Sequence, residues 1–162
     1  MLRIVVVEDN PADAQMFRIA LEETGASIEI IPITDGVEAL EYFAEDKAGE
    51  VLAECDLVVL DLNLPRVSGF EVLEWIKGSD ELKLLPVVVM SGSRNAFEID
   101  RCYRAGANSY VCKSTHVDEI FATAVKLVDY WGGCAKLPSR QTIVAKASHS
   151  VETVAGADQE NS

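Results

Sequence analysis

The chain has 162 residues and a formal net charge of −13, with 27 acidic against 14 basic side chains. At about 150 residues per domain, this length predicts one domain. So acidic a surface repels phosphate backbones and anionic lipids, which disfavours nucleic-acid and membrane-surface binding. No apolar stretch reaches the roughly 18 residues of a membrane-spanning helix, and no signal peptide is evident. A hydrophobic fraction of 49% suffices for a buried core, and four cysteines without framework spacing suit a reducing compartment, so we expect a cytoplasmic domain.

The composition changes after Trp131. Two glycines and Pro138 interrupt regular structure there, and the following residues are rich in Ser, Thr, Ala and Gln. We therefore predict a folded domain over residues 1–131 and a C-terminal extension over residues 132–162, ordered in part and then flexible. An extension of this length is too short to be an effector or DNA-binding domain.

Five short apolar segments predict β-strands. They lack the alternation of apolar and polar residues that a half-exposed strand shows, which is typical of strands covered on both faces. The predicted strands comprise residues 3–7, 28–33, 57–60, 87–90 and 109–112.

Amphipathic segments separate these strands and predict five helices. Asn10-Pro11 opens the first helix, and Asp35 caps the second. The third carries Phe70, Leu73 and Ile76, the fourth spans Ala96 to Arg104, and the last lies near residues 117–131. Strands that alternate with helices in this way indicate a parallel sheet with helices on both faces.

Polar side chains follow several of the predicted strands. Ligands of parallel α/β sheets bind beyond the carboxyl ends of the strands, where Glu8, Asp9, Asp61, Ser91 and Lys113 stand. Each residue alone has an ordinary explanation, as a helix cap, a turn former or an exposed loop residue. Three carboxylates at one edge of a sheet, however, repel one another unless a cation lies among them. Oxygen ligands of this kind suit Mg²⁺.

The same residues provide the groups needed for phosphoryl transfer to an aspartate. They include a carboxylate nucleophile, oxygen ligands for a metal ion, and an ammonium and a hydroxyl that can contact phosphoryl oxygens. Phosphoryl transfer depends mostly on positioning and charge stabilisation, so such a set is sufficient for that chemistry.

Four motifs in order along the chain resemble those of the bacterial response-regulator receiver domain, over nearly all of residues 1–131. They are Val-Val-Glu-Asp-Asn-Pro (6–11), Leu-Asp-Leu-Asn-Leu-Pro (60–65), Val-Val-Met-Ser-Gly-Ser (88–93) and Gly-Ala-Asn-Ser-Tyr-Val-Cys-Lys (106–113). The resemblance implies a flavodoxin-like (βα)5 fold. Its doubly wound, five-stranded parallel sheet has the strand order 2-1-3-4-5.

The resemblance also implies a metal site and a phosphoacceptor. Asp61 would accept a phosphoryl group from the phosphohistidine of a sensor histidine kinase. Asp9 and Asp61 would bind Mg²⁺ directly, for which Mn²⁺ can substitute. The backbone carbonyl of Asn63 would be a third ligand, and Glu8 would act mainly through water.

Three further residues would respond to the phosphoryl group. The resemblance implies that Lys113 holds a phosphoryl oxygen, that Ser91 swings toward the group, and that Tyr110 follows Ser91 inward as an aromatic switch. Asn63 and Ser93 stand where side chains of the family tune hydrolysis of the phosphoaspartate.

Two positions depart from the family's pattern. Ser114 follows Lys113 where the family usually has a proline joined by a cis peptide bond. A non-proline cis bond costs about 2.5–4 kcal/mol, so either strain is retained here or the bond is trans. The usual Asp-Gly after the phosphoacceptor loop is Ser68-Gly69, which keeps the glycine that the turn needs.

The C-terminal part is similar to that of stand-alone regulators paired with cyanobacterial phytochromes and bacteriophytochromes. The similarity rests on Asp-Tyr-Trp (129–131) and Lys-Leu-Pro (136–138). It implies a bacteriophytochrome as the kinase partner. It also implies a homodimer through the predicted fourth helix, fifth strand, fifth helix and extension. Alternatively, Tyr130 and Trp131 simply cap the last helix against its own sheet.

Three functional hypotheses follow. The leading one is a single-domain phosphoacceptor switch, not an enzyme, which signals by protein contact and has a histidine phosphotransfer protein as a candidate partner. The second is a pseudo-receiver, an interaction module without phosphotransfer. The third is a phosphatase of the haloacid dehalogenase type. That class needs a second aspartate where Asn63 stands and places its metal-binding acids late in the sequence, whereas Glu8 and Asp9 come first.

Overall fold

A five-stranded parallel sheet forms the centre of the protein in a computed structural model that describes residues 1–138. The strand order β2-β1-β3-β4-β5 confirms the predicted flavodoxin-like fold. The part of the predicted extension after Pro138 lies outside the described residues. The strands are β1 (Leu2–Val7), β2 (Ile28–Ile33), β3 (Leu57–Asp61), β4 (Val87–Ser91) and β5 (Ser109–Cys112).

Six α-helices connect and follow the strands in the described part of the chain. They are α1 (Pro11–Glu22), α2 (Gly36–Tyr42), α3 (Ala48–Glu54), α4 (Gly69–Gly78), α5 (Ala96–Arg104) and α6 (Val117–Val128). Short 3₁₀ turns lie at Glu45–Lys47 and Leu82–Leu84, and a π-helical segment, Asp129–Cys134, continues α6. Among these six helices, none is both long and apolar enough to cross a bilayer.

The prediction of five helices was wrong in the connection between β2 and β3. That connection contains both α2 and the short helix α3, which buries Ala48, Val51 and Leu52. Seven residues with one glycine form too short a segment for its periodicity to predict a helix. As a consequence, the predicted fourth and fifth helices are α5 and α6.

Two glycines after α6 do not break the helical geometry as we expected. The π-helical segment runs through Gly132 and Gly133 to Cys134. It ends where the backbone N–H of Ala135 donates to the carbonyl of Tyr130 at 2.7 Å. Gly132 lies under Leu2, since a β-carbon built on this glycine would be 3.6 Å from the Leu2 side chain. The segment therefore packs against the start of β1 at an ordinary van der Waals distance.

Alternate residues of the strands enter two separate apolar layers. Val5 and Val7 of β1 pack with buried residues of α2, α3, α4 and α5. Ile4 and Val6 of the same strand pack with α1 and α6 on the opposite face. Burial on both faces explains the uninterrupted apolar runs of the strands, and it stabilises the fold by about 1.5–3 kcal/mol for each large side chain.

The first helices begin at the carboxyl edge of the sheet, as their caps predicted. The Asn10 side chain accepts hydrogen bonds from the N–H groups of Ala12 and Asp13, directly after β1. Asp35 caps α2 in the same way after β2. The described residues contain no cis peptide bond, so the bond between Lys113 and Ser114 is trans, one of the two alternatives considered above.

Candidate functional site

Three carboxylates meet at the carboxyl edge of β1 and β3. Glu8 and Asp61 are only 8% and 5% exposed, whereas Asp9 is exposed. One oxygen from each of the three lies within 4.8 Å of the other two. Oxygen ligands at this spacing suit a hard divalent cation, so the donor set fits the metal expected from the sequence.

Lys113, which follows β5, brings a positive charge into this cluster. Its Nζ atom donates to Asp61 Oδ2 at 2.9 Å and to Glu8 Oε2 at 2.5 Å. Asp13 Oδ2 lies 3.5 Å from the same nitrogen. Sequence reasoning missed Asp13. It lies in the first turn of α1, four residues after Asp9, and this spacing is the signal that could have placed both carboxylates at one site.

The pKa values of Glu8 and Lys113 reflect this arrangement. Burial raises the pKa of Glu8 above its ordinary value, although the hydrogen bonds from Lys113 and from the Asn10 backbone oppose the increase. Burial alone would lower the pKa of Lys113, but its hydrogen bonds to Glu8 and Asp61 outweigh this effect and raise it. The lysine is therefore firmly charged at neutral pH and balances part of the carboxylate charge.

The loop after Asp61 is fixed by close backbone contacts. A β-carbon built on Gly69 would lie 1.9 Å from the carbonyl oxygen of Asp61, so only glycine allows this approach. The retained glycine of the Ser68-Gly69 pair therefore has a steric role. The N–H of Asn63 donates to Asp61 Oδ1 at 3.2 Å, which attaches the loop to the carboxylate cluster.

Arg66 holds the same loop against α2. It has a positive φ of 66°, and its guanidinium pairs with Asp35, the N-cap of α2. Beside it, a β-carbon on Gly36 would lie 1.9 Å from the carbonyl oxygen of Val67. These contacts hold the end of the loop that follows Asp61 against α2.

Ser91 and Tyr110 form a second polar group, on β4 and β5. Ser91 is fully buried, and its hydroxyl donates to Glu98 Oε1 at 3.4 Å. The Tyr110 hydroxyl lies 2.9 Å from the same carboxylate oxygen and 3.0 Å from the carbonyl oxygen of Ser93. Burial raises the pKa of Tyr110. Sequence analysis did not identify Glu98, because a glutamate in the first turn of a helix suggests a cap.

An open cleft of about 550 Å³ adjoins the carboxylates. Asp61 and Lys113 line one end, and Phe17 of α1 and Ile120 of α6 line its apolar part. A charged group of another molecule could therefore reach the cluster from solvent, while an apolar surface of the same molecule contacts the two helices.

Comparison with known proteins identifies the family. The family model for the response regulator receiver domain matches residues 4–125. The chain is 36% identical over 136 residues to the probable methanogenesis regulatory protein FilR2 of Methanothrix harundinacea, covering 83% of this chain and 86% of the relative. It is 32% identical over 136 residues to response regulator Rcp1 of Synechocystis sp., covering 84% of this chain and 92% of the relative.

Solved structures of similar proteins support the same family assignment. The Mn²⁺-bound form of Rcp1 has a TM-score of 0.76 at 31% identity, covering 86% of this chain and all of that one. The phosphorylated cyanobacterial phytochrome response regulator RcpA has a TM-score of 0.77 at 37% identity, covering 85% of this chain and 99% of that one. Receiver domains bind divalent metal, which the Glu8, Asp9 and Asp61 cluster fits. The chain belongs to the response regulator receiver domain family, and it is similar to regulators of cyanobacterial phytochromes.

Proposed function

We propose that this chain is a single-domain phosphoacceptor switch, in which Asp61 takes a phosphoryl group from a phosphohistidine of a sensor histidine kinase. The observation that carries the proposal is the contact of Lys113 Nζ with both Asp61 and Glu8. It places an ammonium next to a nearly buried carboxylate at the open end of a cleft. A phosphoryl group on Asp61 would be within reach of this charge.

Asp61 supplies the nucleophile. A bond forms between its carboxylate oxygen and phosphorus while the phosphorus–nitrogen bond of the phosphohistidine breaks, and the electron pair stays on the imidazole nitrogen. Lys113 moves from the Asp61 carboxylate to a phosphoryl oxygen and balances its charge. The fixed loop from Asp61 to Gly69 keeps the acceptor in place during the transfer.

Asp9, Asp61 and the backbone carbonyl of Asn63 would hold Mg²⁺ or Mn²⁺, with Glu8 acting through water. When bound, the ion neutralises charge on the phosphoryl oxygens. Receiver domains are in general switches and not enzymes. The chemistry proposed for this chain is limited to its own phosphorylation and dephosphorylation, which Asn63 and Ser93 would tune.

The signal would leave through the surface of α5, β5 and α6. Ser91 and Tyr110 would connect the acceptor to this side of the molecule, where β5 is one of the two edge strands of the sheet. Phe97 is 76% exposed there, and Tyr130 is also exposed beyond α6. Exposed aromatic groups next to a sheet edge support a homodimer through these elements and the extension.

The partner would be a histidine kinase. Similarity to RcpA favours a phytochrome, and similarity to the bacteriophytochrome response regulator AtBRR favours a bacteriophytochrome. A histidine phosphotransfer protein is a second candidate partner. Both would approach the open cleft between α1 and α6, where Val117 and Ile120 of α6 offer an apolar contact surface. The cytoplasmic location expected from the sequence stays a prediction.

Intact mass spectrometry after incubation with acetyl phosphate and Mg²⁺ tests this function. We expect the wild-type chain to gain about 80 Da, the mass of one phosphoryl group. The gain should disappear in Asp61→Asn and persist in Asp100→Asn, which removes an exposed aspartate of α5. No gain in a wild-type chain that binds Mg²⁺ would indicate the pseudo-receiver instead.

A further inference from the structure

Glu98 occupies a helix-capping position but does not cap its helix. It is the third residue of α5, after the N-cap Asn95. In α4 the equivalent residue, Glu71, accepts a hydrogen bond from the backbone N–H of its N-cap, Ser68, at 2.9 Å. In α5 the corresponding N–H, that of Asn95, donates to Ser93 Oγ at 3.2 Å instead. The Glu98 carboxylate is thus available for other partners.

Those partners are the hydroxyls of Ser91 and Tyr110, both of which lie within hydrogen-bond distance of Glu98 Oε1, at 3.4 and 2.9 Å. The Ser91 oxygen accepts from the N–H of Ser93 at 3.3 Å, so its own proton is left to donate. The Glu98 carboxylate has no proton of its own, so it can accept from both hydroxyls at once.

Phosphorylation of Asp61 would compete for the same proton. We propose that Glu98 is a positioning residue that engages the hydroxyls of Ser91 and Tyr110 in competition with a phosphoryl group on Asp61. This inference rests on the proposed function. When Ser91 turns to a phosphoryl oxygen, it must leave Glu98, so the contacts of Glu98 favour the receiver that carries no phosphoryl group.

The location of Glu98 also gives the competition a structural consequence. Glu98 belongs to the first turn of α5, so its bonds to Ser91 of β4 and Tyr110 of β5 join that turn to the sheet. Release of the Ser91 hydroxyl removes one of these connections, and movement of Tyr110 inward after Ser91 would remove the other. The start of α5, next to the exposed Phe97, is therefore the first part of the helix that phosphorylation would loosen.

A purely structural role for Glu98 predicts a different effect of its removal on phosphoryl binding. If the carboxylate only stabilised α5 against the sheet, its removal would lower stability and leave phosphoryl binding unchanged or weaker. If Glu98 competes with the phosphoryl group, its removal lowers stability in the form without that group and increases the affinity for a phosphoryl analogue. The sign of the change in affinity separates the two roles.

The test uses beryllium fluoride, which mimics a phosphoryl group on a carboxylate, titrated into the full chain with Mg²⁺ and followed by fluorine NMR. We expect Glu98→Ala and Glu98→Gln to bind the analogue more tightly than wild type, by about five- to tenfold for alanine and less for glutamine, whose amide oxygen can still accept. Val51→Ala, in the buried face of α3, is the control. It lowers the thermal midpoint at a position outside α5 and leaves the affinity unchanged.

A double variant shows whether Ser91 transmits the effect. In the Ser91→Ala background, we expect the gain from Glu98→Ala to shrink by at least half, because no hydroxyl is then shared between Glu98 and the analogue. An equal or weaker affinity of the Glu98 variants, with normal binding by wild type, would overturn the role of Glu98 alone. Failure of wild type to bind beryllium fluoride at Asp61 would overturn the proposed function and this inference with it.

Discussion

Lys113 and Asp61 are 52 positions apart in the sequence, yet Nζ of the lysine lies 2.9 Å from Oδ2 of the aspartate. The same ammonium contacts Glu8, which is nearly buried. One cation therefore balances two carboxylates that have little access to water. The electrostatics of the site therefore contribute to the stability of the fold.

Replacement of Lys113 by alanine should destabilise the protein. The variant leaves two nearly buried carboxylates without their cation, and we expect the free energy of unfolding to fall by about 2 kcal/mol, less than for a fully buried pair because the lysine is partly exposed. Urea unfolding in the presence of EDTA measures the change. Lys126→Ala, an exposed lysine of α6, should shift stability by less than about 0.5 kcal/mol. Equal stability of the two variants would contradict the account.

Mg²⁺ should stabilise the folded chain through Asp9. At a concentration of about 100 times its dissociation constant, a ligand specific for the folded state adds about 2.7 kcal/mol. Scanning calorimetry with Mg²⁺ or EDTA should show this difference for wild type and lose most of it in Asp9→Asn. Because Asp9 is exposed, the variant should fold normally. Asp118→Asn, on α6, should respond to Mg²⁺ as wild type does. An equal response of Asp9→Asn would exclude Asp9 as a residue that binds the ion.

The strand-end residues could be placed from sequence because parallel strands end at one edge of a sheet. Glu8, Asp61 and Lys113 each follow an apolar run, so the fold alone brings them together. Asp13 and Glu98 were missed for a physical reason. Both lie in the first turn of a helix, where an acidic residue has an ordinary explanation in the helix dipole. Only the tertiary contacts show that these side chains face other partners.

Tertiary contacts also determine the structure of the connection between β2 and β3, which local sequence predicts only in part. Local sequence gives Asp35 as the cap of α2, which the structure confirms. The sequence does not show that residues after Phe43 form a separate short helix, because α3 is stabilised mainly by burying Val51 and Leu52 in the core. Tertiary packing, and not helix periodicity, determines this element.

Two glycine-to-alanine variants should change stability in opposite directions. At Gly36 the new methyl group would meet the carbonyl of Val67, at a built distance of 1.9 Å, so we expect a loss of about 2–3 kcal/mol. At Gly49, in α3, a built β-carbon has no neighbour within 4 Å, and alanine should add about 0.5–1 kcal/mol. Chemical denaturation of both variants measures the difference, and a loss at Gly49 or none at Gly36 would refute this account of the loop.

Lys77 should make stability depend on pH in the alkaline range. Burial lowers its pKa to about 8, and its Nζ donates to carbonyl oxygens of Lys83 and Leu85 and to Asn108 Oδ1. Between this value and the ordinary pKa of 10.5, the unfolded chain binds a proton that the folded chain lacks. Stability contributed by Lys77 therefore increases with pH across this window and is lost as the pH falls through 8.

The variant Lys77→Met isolates this effect. Urea unfolding at several pH values between about 7 and 10 should show a smaller increase of stability with pH for the variant than for wild type. Lys83→Met serves as the control, since Lys83 is exposed and should leave the slope unchanged. Parallel curves for wild type and Lys77→Met would show that the buried ammonium is not the source of the pH dependence.

Phe97 should contribute to self-association. Its side chain is 76% exposed on α5, and its loss at a dimer interface would remove one large apolar contact. Light scattering of Phe97→Ser should give a lower dimer fraction than wild type at the same concentration. Glu23→Gln, at the exposed C-terminal end of α1, should leave the dimer fraction unchanged. Unaltered assembly of the Phe97 variant would exclude this part of α5 from the interface.

The most direct test of the central claim identifies the residue that carries the phosphoryl group. The chain is phosphorylated with acetyl phosphate and Mg²⁺, reduced with borohydride, digested and analysed by tandem mass spectrometry. Reduction converts an aspartyl phosphate to homoserine, which marks its position permanently. We predict homoserine at position 61 only. Homoserine at another aspartate, or unmodified Asp61 in a chain that has gained phosphate, would contradict the account.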